Sequence, residues 1–396
     1  MVKFIHCADL HLDSPFKSHT HLSPNIYEDV KKSTYESFKS IIDHALREEV
    51  DFIVIAGDLF DKENRSLRAE VFLKEQFERL EKEQIFVYIC HGNHDPLSEL
   101  ITTDWPANVS VFDKNVETYQ TITKHGEKIL LHGFSYQNDE SYENKLDEYP
   151  SSQGEKGMHI GVLHGTYSKS SDNHRYTEFL LEDLNTKLYH YWALGHIHER
   201  VQLSDMPPIY YPGNIQGRHF NEQGEKGFLL VEGDELKLDV TFVPTQYIRF
   251  DEVKIETSQT SKQGLYEVLQ KFKDSVRKQG KAFYRIHLEI DSDAPVPSQD
   301  ILQVEEMIRE YEENQTQFIY VEDLIITYKD DETRPIAQEF STELKSDEKV
   351  FEHAMNDLYL NPKASKYLDN YNEFDKTELI NRAESLLKSD LRGDKQ

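Results

Sequence analysis

Up to roughly residue 240 the chain alternates short apolar runs with longer stretches whose apolar residues recur every three or four positions. The runs at 2–6, 52–56 and 85–89 predict strands, and 33–48 and 67–82 predict amphipathic helices between them. Further strand-like runs follow at 128–133, 159–164 and 191–194, with a short helix over 182–188 before the last. Strands alternating with helices of this length predict an α/β layer architecture. From Gly227 the alternation stops, and two plain strands, 228–232 and 236–243, are placed to close the sheet of this first domain.

Pro244 marks a boundary, giving a first domain over 1–244. Beyond it a strand (248–255), helix (262–278), strand (282–290), helix (298–313) and strand (318–327) make a small α+β unit over 245–330, near the lower size limit for an independent fold. Its aromatics Phe272, Phe283 and Tyr284 are expected in its core rather than as a base-stacking surface. The charged run Lys329-Asp330-Asp331-Glu332-Thr333-Arg334-Pro335 reads as a linker. The remainder of 331–396 is polar and helical, with scattered apolar residues such as Phe340, Leu344, Phe351 and Leu379. It holds too little apolar surface for its own core, so it is expected to dock on something else.

Composition narrows the class. With 37% hydrophobic and 11% aromatic residues among 396, the chain can bury real cores and is not a disordered protein. No apolar run is long enough for a membrane span, and the N-terminus runs straight into a strand, so a cytoplasmic protein without a secretory leader is expected. Cys7 and Cys90 are two cysteines in a long chain, which suits buried thiols and not a disulfide framework. Charge complicates any polyanionic substrate: 45 basic against 73 acidic residues leave a net −28. Both parts share the excess, with 21 basic and 32 acidic residues from Thr245 onward. A protein that grips duplex DNA unaided shows a basic patch, so contact with DNA would be local or shared with a partner.

Five short motifs each follow a predicted strand: Asp9-Leu10-His11, Gly57-Asp58-Leu59-Phe60-Asp61, Gly92-Asn93-His94-Asp95, His164-Gly165 and Gly195-His196-Ile197-His198. Loops leaving the carboxyl ends of strands converge on one sheet edge, where α/β proteins bind ligands. Asp, Asn and His gathered there form a mixed oxygen and nitrogen site for a hard-to-borderline cation. At a strand end, residues i and i+2 point the same way, so Asp9 with His11, and His196 with His198, are expected to serve one site together. Asp58 has two oxygens and can bridge two cations. Any one motif alone fits an ordinary turn or a satisfied histidine; the five in this order do not. Elsewhere, Arg218 and His219 are weaker candidates for phosphate contact, as are His174 and Arg175, while His19 and His21 read as loop residues facing solvent.

That order of motifs resembles the calcineurin-like metallophosphoesterases. More narrowly, His6-Cys7-Ala8-Asp9-Leu10-His11-Leu12-Asp13-Ser14-Pro15 is similar to the opening of the SbcD-type DNA repair nucleases, and with Gly217-Arg218-His219-Phe220-Asn221-Glu222 it resembles the bacterial YhaO branch. The resemblance spans roughly residues 1–245. It implies a four-layer α/β/β/α sandwich, a smaller α+β cap and a helical C-terminal tail. It also implies two divalent ions, manganese by preference, although the ligand types alone also permit iron or zinc. One ion would be held by Asp9, His11, Asp58 and His198, the other by Asp58, Asn93, His164 and His196. His94 would face the scissile phosphate as general acid or charge stabiliser, with Asp95 orienting it. DNA, a homodimer and an SbcC-type coiled-coil ATPase gripping the C-terminal helices are the implied partners. One departure stands out: Tyr211-Pro212-Gly213-Asn214 has Asn where many relatives have Ser.

Three functions follow from these readings: a DNA exonuclease, with or without internal cutting of single strands; a phosphodiesterase or phosphatase for a small nucleotide or phosphoprotein; and a catalytically idle scaffold at DNA ends. The cap and tail favour the first, the −28 charge favours the second, and the complete set of candidate ligands argues against the third.

Overall fold

In the computed structural model, residues 1–14, 22–61, 65–98, 103–138, 145–168, 177–291 and 296–329 are described. The expected C-terminal helices, His19, His21, His174 and Arg175 lie outside them. The chain divides into two compact units, Met1–Asp251 with Gly280–Ala282, and Glu252–Gln279 with the described residues from Phe283 onward.

The first unit holds two six-stranded sheets. One runs, edge to edge, Leu238–Pro244, Gly227–Gly233, Val2–Cys7, Phe52–Ala56, Phe86–Cys90 and Val109–Val111. The other runs Val201–Asp205, Pro208–Tyr211, Tyr191–Gly195, Met158–His164, Lys128–Gly133 and Glu117–Ile122. In the first sheet Val2–Cys7, Phe52–Ala56 and Phe86–Cys90 are parallel, and in the second so are Lys128–Gly133, Met158–His164 and Tyr191–Gly195. The plain strand Gly227–Gly233 does close the first sheet, pairing antiparallel with Val2–Cys7.

Phe52–Ala56 shows why its apolar run is unbroken. Ile53 and Ile55 pack toward the helices Pro24–Glu48 and Leu67–Lys82, while Phe52, Val54 and Ala56 pack between the sheets against Ile160, Val162 and Tyr191. A strand covered on both faces has no polar positions to alternate with. Leu67–Lys82 matches its expected bounds because its signals are complete: the Ser66 hydroxyl caps Ala69 N at 3.2 Å, and Ala69, Leu73, Phe77 and Leu80 form the buried stripe. Pro24–Glu48 begins well before the expected residue 33. Pro24 sits in its first turn, and Ile26 and Val30 extend the buried stripe of Phe38, Ile41 and Ala45. Among the described residues, Tyr149, Tyr189, Trp192 and Tyr211 pack on the second sheet with the short helix Leu181–Asn185.

A three-stranded sheet, Ile248–Thr257, Lys281–Ile290 and Ile319–Tyr328, lies mostly in the second unit, apart from Ile248–Asp251 and Lys281–Ala282, with the helices Lys262–Val276 and Ser298–Glu310. Phe283 and Tyr284 are buried there, and Phe272 packs edge-on against Tyr284, as expected of core aromatics. No helix among the described residues is long and apolar enough to cross a membrane.

His6 ties the two sheets together. Its Nε2 lies 3.0 Å from the Leu194 carbonyl, which can only accept, so Nε2 donates and Nδ1 receives the Tyr191 hydroxyl at 2.9 Å. That is the pattern of the neutral ring, and burial pushes its pKa down to about 3. Below the ordinary value near 6.5 the unfolded chain takes up a proton that the folded chain refuses. Stability should therefore fall from about pH 6.5 down to about 3, by up to roughly tenfold in the folding constant per pH unit from this site. Urea unfolding of wild type and His6→Gln across that range should show a shallower acid decline in the variant; parallel curves would exclude His6 as the cause.

Candidate metal centre

Each of the five motifs lies where a parallel strand ends: three leave the first sheet, after Cys7, Ala56 and Cys90, and two leave the second, at His164 and Gly195. The site is thus shared by the edges of two facing sheets. The loops after the first two strands run side by side, with Asp9 N bonded to Gly57 O at 3.0 Å, His11 N to Asp58 O at 3.1 Å and Leu12 N to Leu59 O at 3.0 Å.

This zipper changes the reason that Asp9 and His11 act together. Strand alternation has already ended at Cys7, and Asp9 (φ 53°), His11 (φ 43°), Asp58 (φ 52°) and His196 (φ 103°) all have positive φ. Such conformations cost a non-glycine residue on the order of 1 kcal/mol or more and concentrate at functional sites. The side chains converge because the backbone is turned, not because it alternates.

The resulting cluster is compact. Asp9, His11 and His198 bring ligand atoms within 4.8 Å of one another, and so do Asp9, Asp58 and His164. Asp58 Oδ2 stands 3.7 Å from His11 Nε2 and 3.4 Å from His164 Nε2, between imidazoles carried by opposite sheets. Asn93 Oδ1 is 3.1 Å from His164 Nε2, and His11 Nε2 is 3.0 Å from His198 Nε2. His196 lies beside His164, ring centroids 5.2 Å apart, and its backbone N–H donates to both oxygens of Asp9 at 3.1 Å. His94 packs edge-on against His11, and its backbone N–H donates to Asp58 Oδ1 at 3.0 Å. All seven candidate ligands and His94 therefore meet in one place. Gly57 and Gly92 make the closeness possible. A Cβ on Gly57 would fall 2.6 Å from His164 Cγ, and one on Gly92 would fall 2.7 Å from His164 Nε2 and nearer still to Asp58 Oδ1.

Other expectations are changed. Asp95 does not orient His94: it accepts from Gly92 N (2.9 Å), Leu59 N (2.8 Å) and His91 Nδ1 (3.0 Å), and among the described residues His94 Nδ1 has no partner. Asp95 instead fastens the Asn93 loop to the Asp58 loop. Arg218 spends its guanidinium on Glu222 (2.8 Å) and Asp61 (3.4 Å), while His219 stands half exposed beside Glu222. Asn214 is buried, its amide donating to Gln216 O and Glu222 Oε2, so the exchange for Ser falls in the support of the site and not on its open face. No spacing rule marks His91 or gives a role to Glu222, which enters the sequence reading only as the end of the 217–222 stretch, and Asp61 goes unused there although it closes the Gly57-Asp58-Leu59-Phe60-Asp61 motif.

The electrostatics suit bound cations. Asp9 and Asp58 are almost wholly buried, and no lysine or arginine pairs with either among the described residues. Burial raises the Asp9 carboxyl. Burial also opposes the charge of Asp58, but His164 and His11 outweigh it and hold that carboxyl well below its usual range. Burial likewise works against a charged His164, yet Asp58 and Asp9 lift its pKa to about 9. A proton on His164 thus stands in for the positive charge the carboxylates lack. Buried carboxylates facing imidazole nitrogens are a donor set for divalent ions.

A family model described as calcineurin-like phosphoesterase matches residues 2–200, half of the chain. The chain belongs to this family. Among the relatives of this phosphoesterase, "Uncharacterized metallophosphoesterase YhaO" of Bacillus subtilis is 38% identical over 326 residues, covering 80% of this chain and 79% of the relative. "DNA double-strand break repair protein Mre11" of Methanocaldococcus jannaschii is 26% identical, covering 67% and 72%. A subunit of the SbcCD nuclease of Staphylococcus epidermidis, its SbcD chain, is 29% identical, covering 64% and 72%.

Proposed function

We propose that this phosphoesterase is a two-metal DNA nuclease, an exonuclease with endonuclease action on single strands as a second activity, that works with a coiled-coil ATPase. The placement of Asp58 Oδ2 between His11 and His164 carries the two-metal reading, because one carboxylate oxygen shared by two nitrogen donors is what a bridged pair of ions needs. Asp9, His11 and His198 serve one ion and Asn93, His164 and His196 the other, with Asp58 common to both. Manganese is the preferred metal. When bound, such ions neutralise phosphoryl oxygens and lower the pKa of water.

The chain's own groups supply the rest. The Ala56 carbonyl accepts from His164 Nδ1 at 2.9 Å and so aims Nε2 at Asp58. His94 stands at the cluster beside His11 and supplies a proton to the leaving oxygen. His94→Gln should lower kcat by about 10²–10⁴-fold while leaving manganese affinity near wild type. Equal loss of binding and turnover would make His94 a ligand instead.

DNA as substrate is supported by the names of the Mre11 and SbcD relatives. The net charge of −28 favours the alternative, a small-nucleotide phosphodiesterase; an ATPase partner docked on the C-terminal segment of a homodimer and supplying basic surface would relieve that objection. Purified chain with linear duplex and single-stranded DNA, in Mn²⁺, Mg²⁺ or EDTA, tests the choice. Manganese-dependent degradation absent from Asp58→Asn supports the nuclease. Hydrolysis of a small phosphodiester alone, unchanged when the ATPase is added, would overturn it.

A further inference from the structure

Glu222 is the most heavily bonded carboxylate near the cluster and lies outside all five motifs. It is buried, and its Oε1 is 2.7 Å from His198 Nδ1 and 2.8 Å from Arg218 Nη2. Its Oε2 accepts from the Arg218 backbone N–H at 2.8 Å and from Asn214 Nδ2 at 2.9 Å. A carboxylate met by this many donors is ionised and can only accept. The proton shared with His198 must therefore sit on Nδ1. Arg218 Nη2, 3.2 Å from that same nitrogen, is a second donor to Oε1 and not a donor to the ring. In the neutral ring His198 Nε2 then keeps its lone pair, 3.0 Å from His11 Nε2 and 4.0 Å from Asp9 Oδ1. The histidine's backbone is held separately, by Lys226 Nζ on its carbonyl at 2.7 Å.

We propose that Glu222 is a positioning residue for the metal centre, fixing His198 as the Nδ1–H tautomer and aiming its Nε2 at the ion shared with Asp9 and His11, with Arg218 and Asn214 clamping the carboxylate. The proposal rests on reading His198 as a ligand. It gives Arg218 a task other than phosphate contact, and Asn214 a reason to be an amide. A carboxylate behind a ligating imidazole fixes its tautomer and raises its basicity, typically worth about 10–100-fold in metal affinity.

Glu222→Gln is the informative variant: its carbonyl can serve either His198 with Arg218 Nη2 or Asn214 with Arg218 N, while its NH₂ meets donors on the other side. Manganese titration of the full chain should show one of the two affinities falling about 10–100-fold, with the variant still folded. The second readout is independent of metal. Nitrogen-15 shifts of the imidazoles in the metal-free wild type at alkaline pH, with the His198 signal assigned from its loss in His198→Asn, should report Nδ1–H; in Glu222→Gln, Nε2–H should gain population. An Nε2–H tautomer in wild type overturns the proposal even if the variant does not fold, and so do affinities unchanged within twofold. Failure of wild type to bind manganese would instead count against the two-metal reading, since the tautomer is measured without metal.

Discussion

Asp58→Asn should abolish metal-dependent phosphodiester hydrolysis, lowering kcat/KM by about 10³-fold or more, while the chain stays folded. The substitution keeps shape and one acceptor oxygen but removes the charge that His11 and His164 approach at 3.7 and 3.4 Å. Losing an anionic bridge costs several kcal/mol of transition-state stabilisation, and about 1.4 kcal/mol is already tenfold in rate. Two further effects separate this from general damage. His164 owes its pKa of about 9 to Asp58 and Asp9 acting against burial, so in Asp58→Asn it should titrate at lower pH. Manganese should raise the melting temperature of wild type, because ligands that bind only the folded state stabilise it, and should scarcely move that of the variant. A variant still stabilised by manganese and retaining a tenth of the activity would show that Asp58 does not bridge.

Gly92→Ala should be nearly as damaging for a steric reason. The added methyl would arrive 2.7 Å from His164 Nε2 and closer to Asp58 Oδ1, so the second ligand group cannot keep its geometry. Nothing else about alanine is unfavourable there, since Gly92 lacks a positive φ. A displacement of about 1 Å in a catalytic arrangement costs about 10²-fold, the loss expected here in kcat with manganese saturating. Circular dichroism and the melting temperature should stay near wild type. Wild-type activity in this variant would mean that Asp58 and His164 are not held together during turnover.

How much of this could be read from the chain depended on which physical signal each element carries. Phe52–Ala56 and Leu67–Lys82 announce themselves, the first by an unbroken apolar run and the second by a cap and a buried stripe. The edge strands Val109–Val111, Glu117–Ile122 and Val201–Asp205 went unseen, since strands half open to solvent have no apolar run. The candidate ligands of the five motifs come together in one cluster, because motif spacing reports where loops leave strands. Spacing does not report what braces them. The left-handed turns at Asp9, His11 and Asp58, the Asp95–Leu59 bond and the Glu222–His198 contact depend on segments well separated in sequence. Asp95 shows the limit: adjacent to His94 in the chain, it bonds to Leu59 and His91 instead.

The central claim is that two ions sit together at the joined edges of the sheets, and manganese titration into EDTA-stripped chain, followed by electron paramagnetic resonance, tests it most directly. Two ions per chain whose spectrum shows exchange coupling, as expected at a separation of about 3.5–4 Å, with the coupling lost in Asp58→Asn, would bear the account out. One ion per chain, or two with uncoupled spectra, would contradict it.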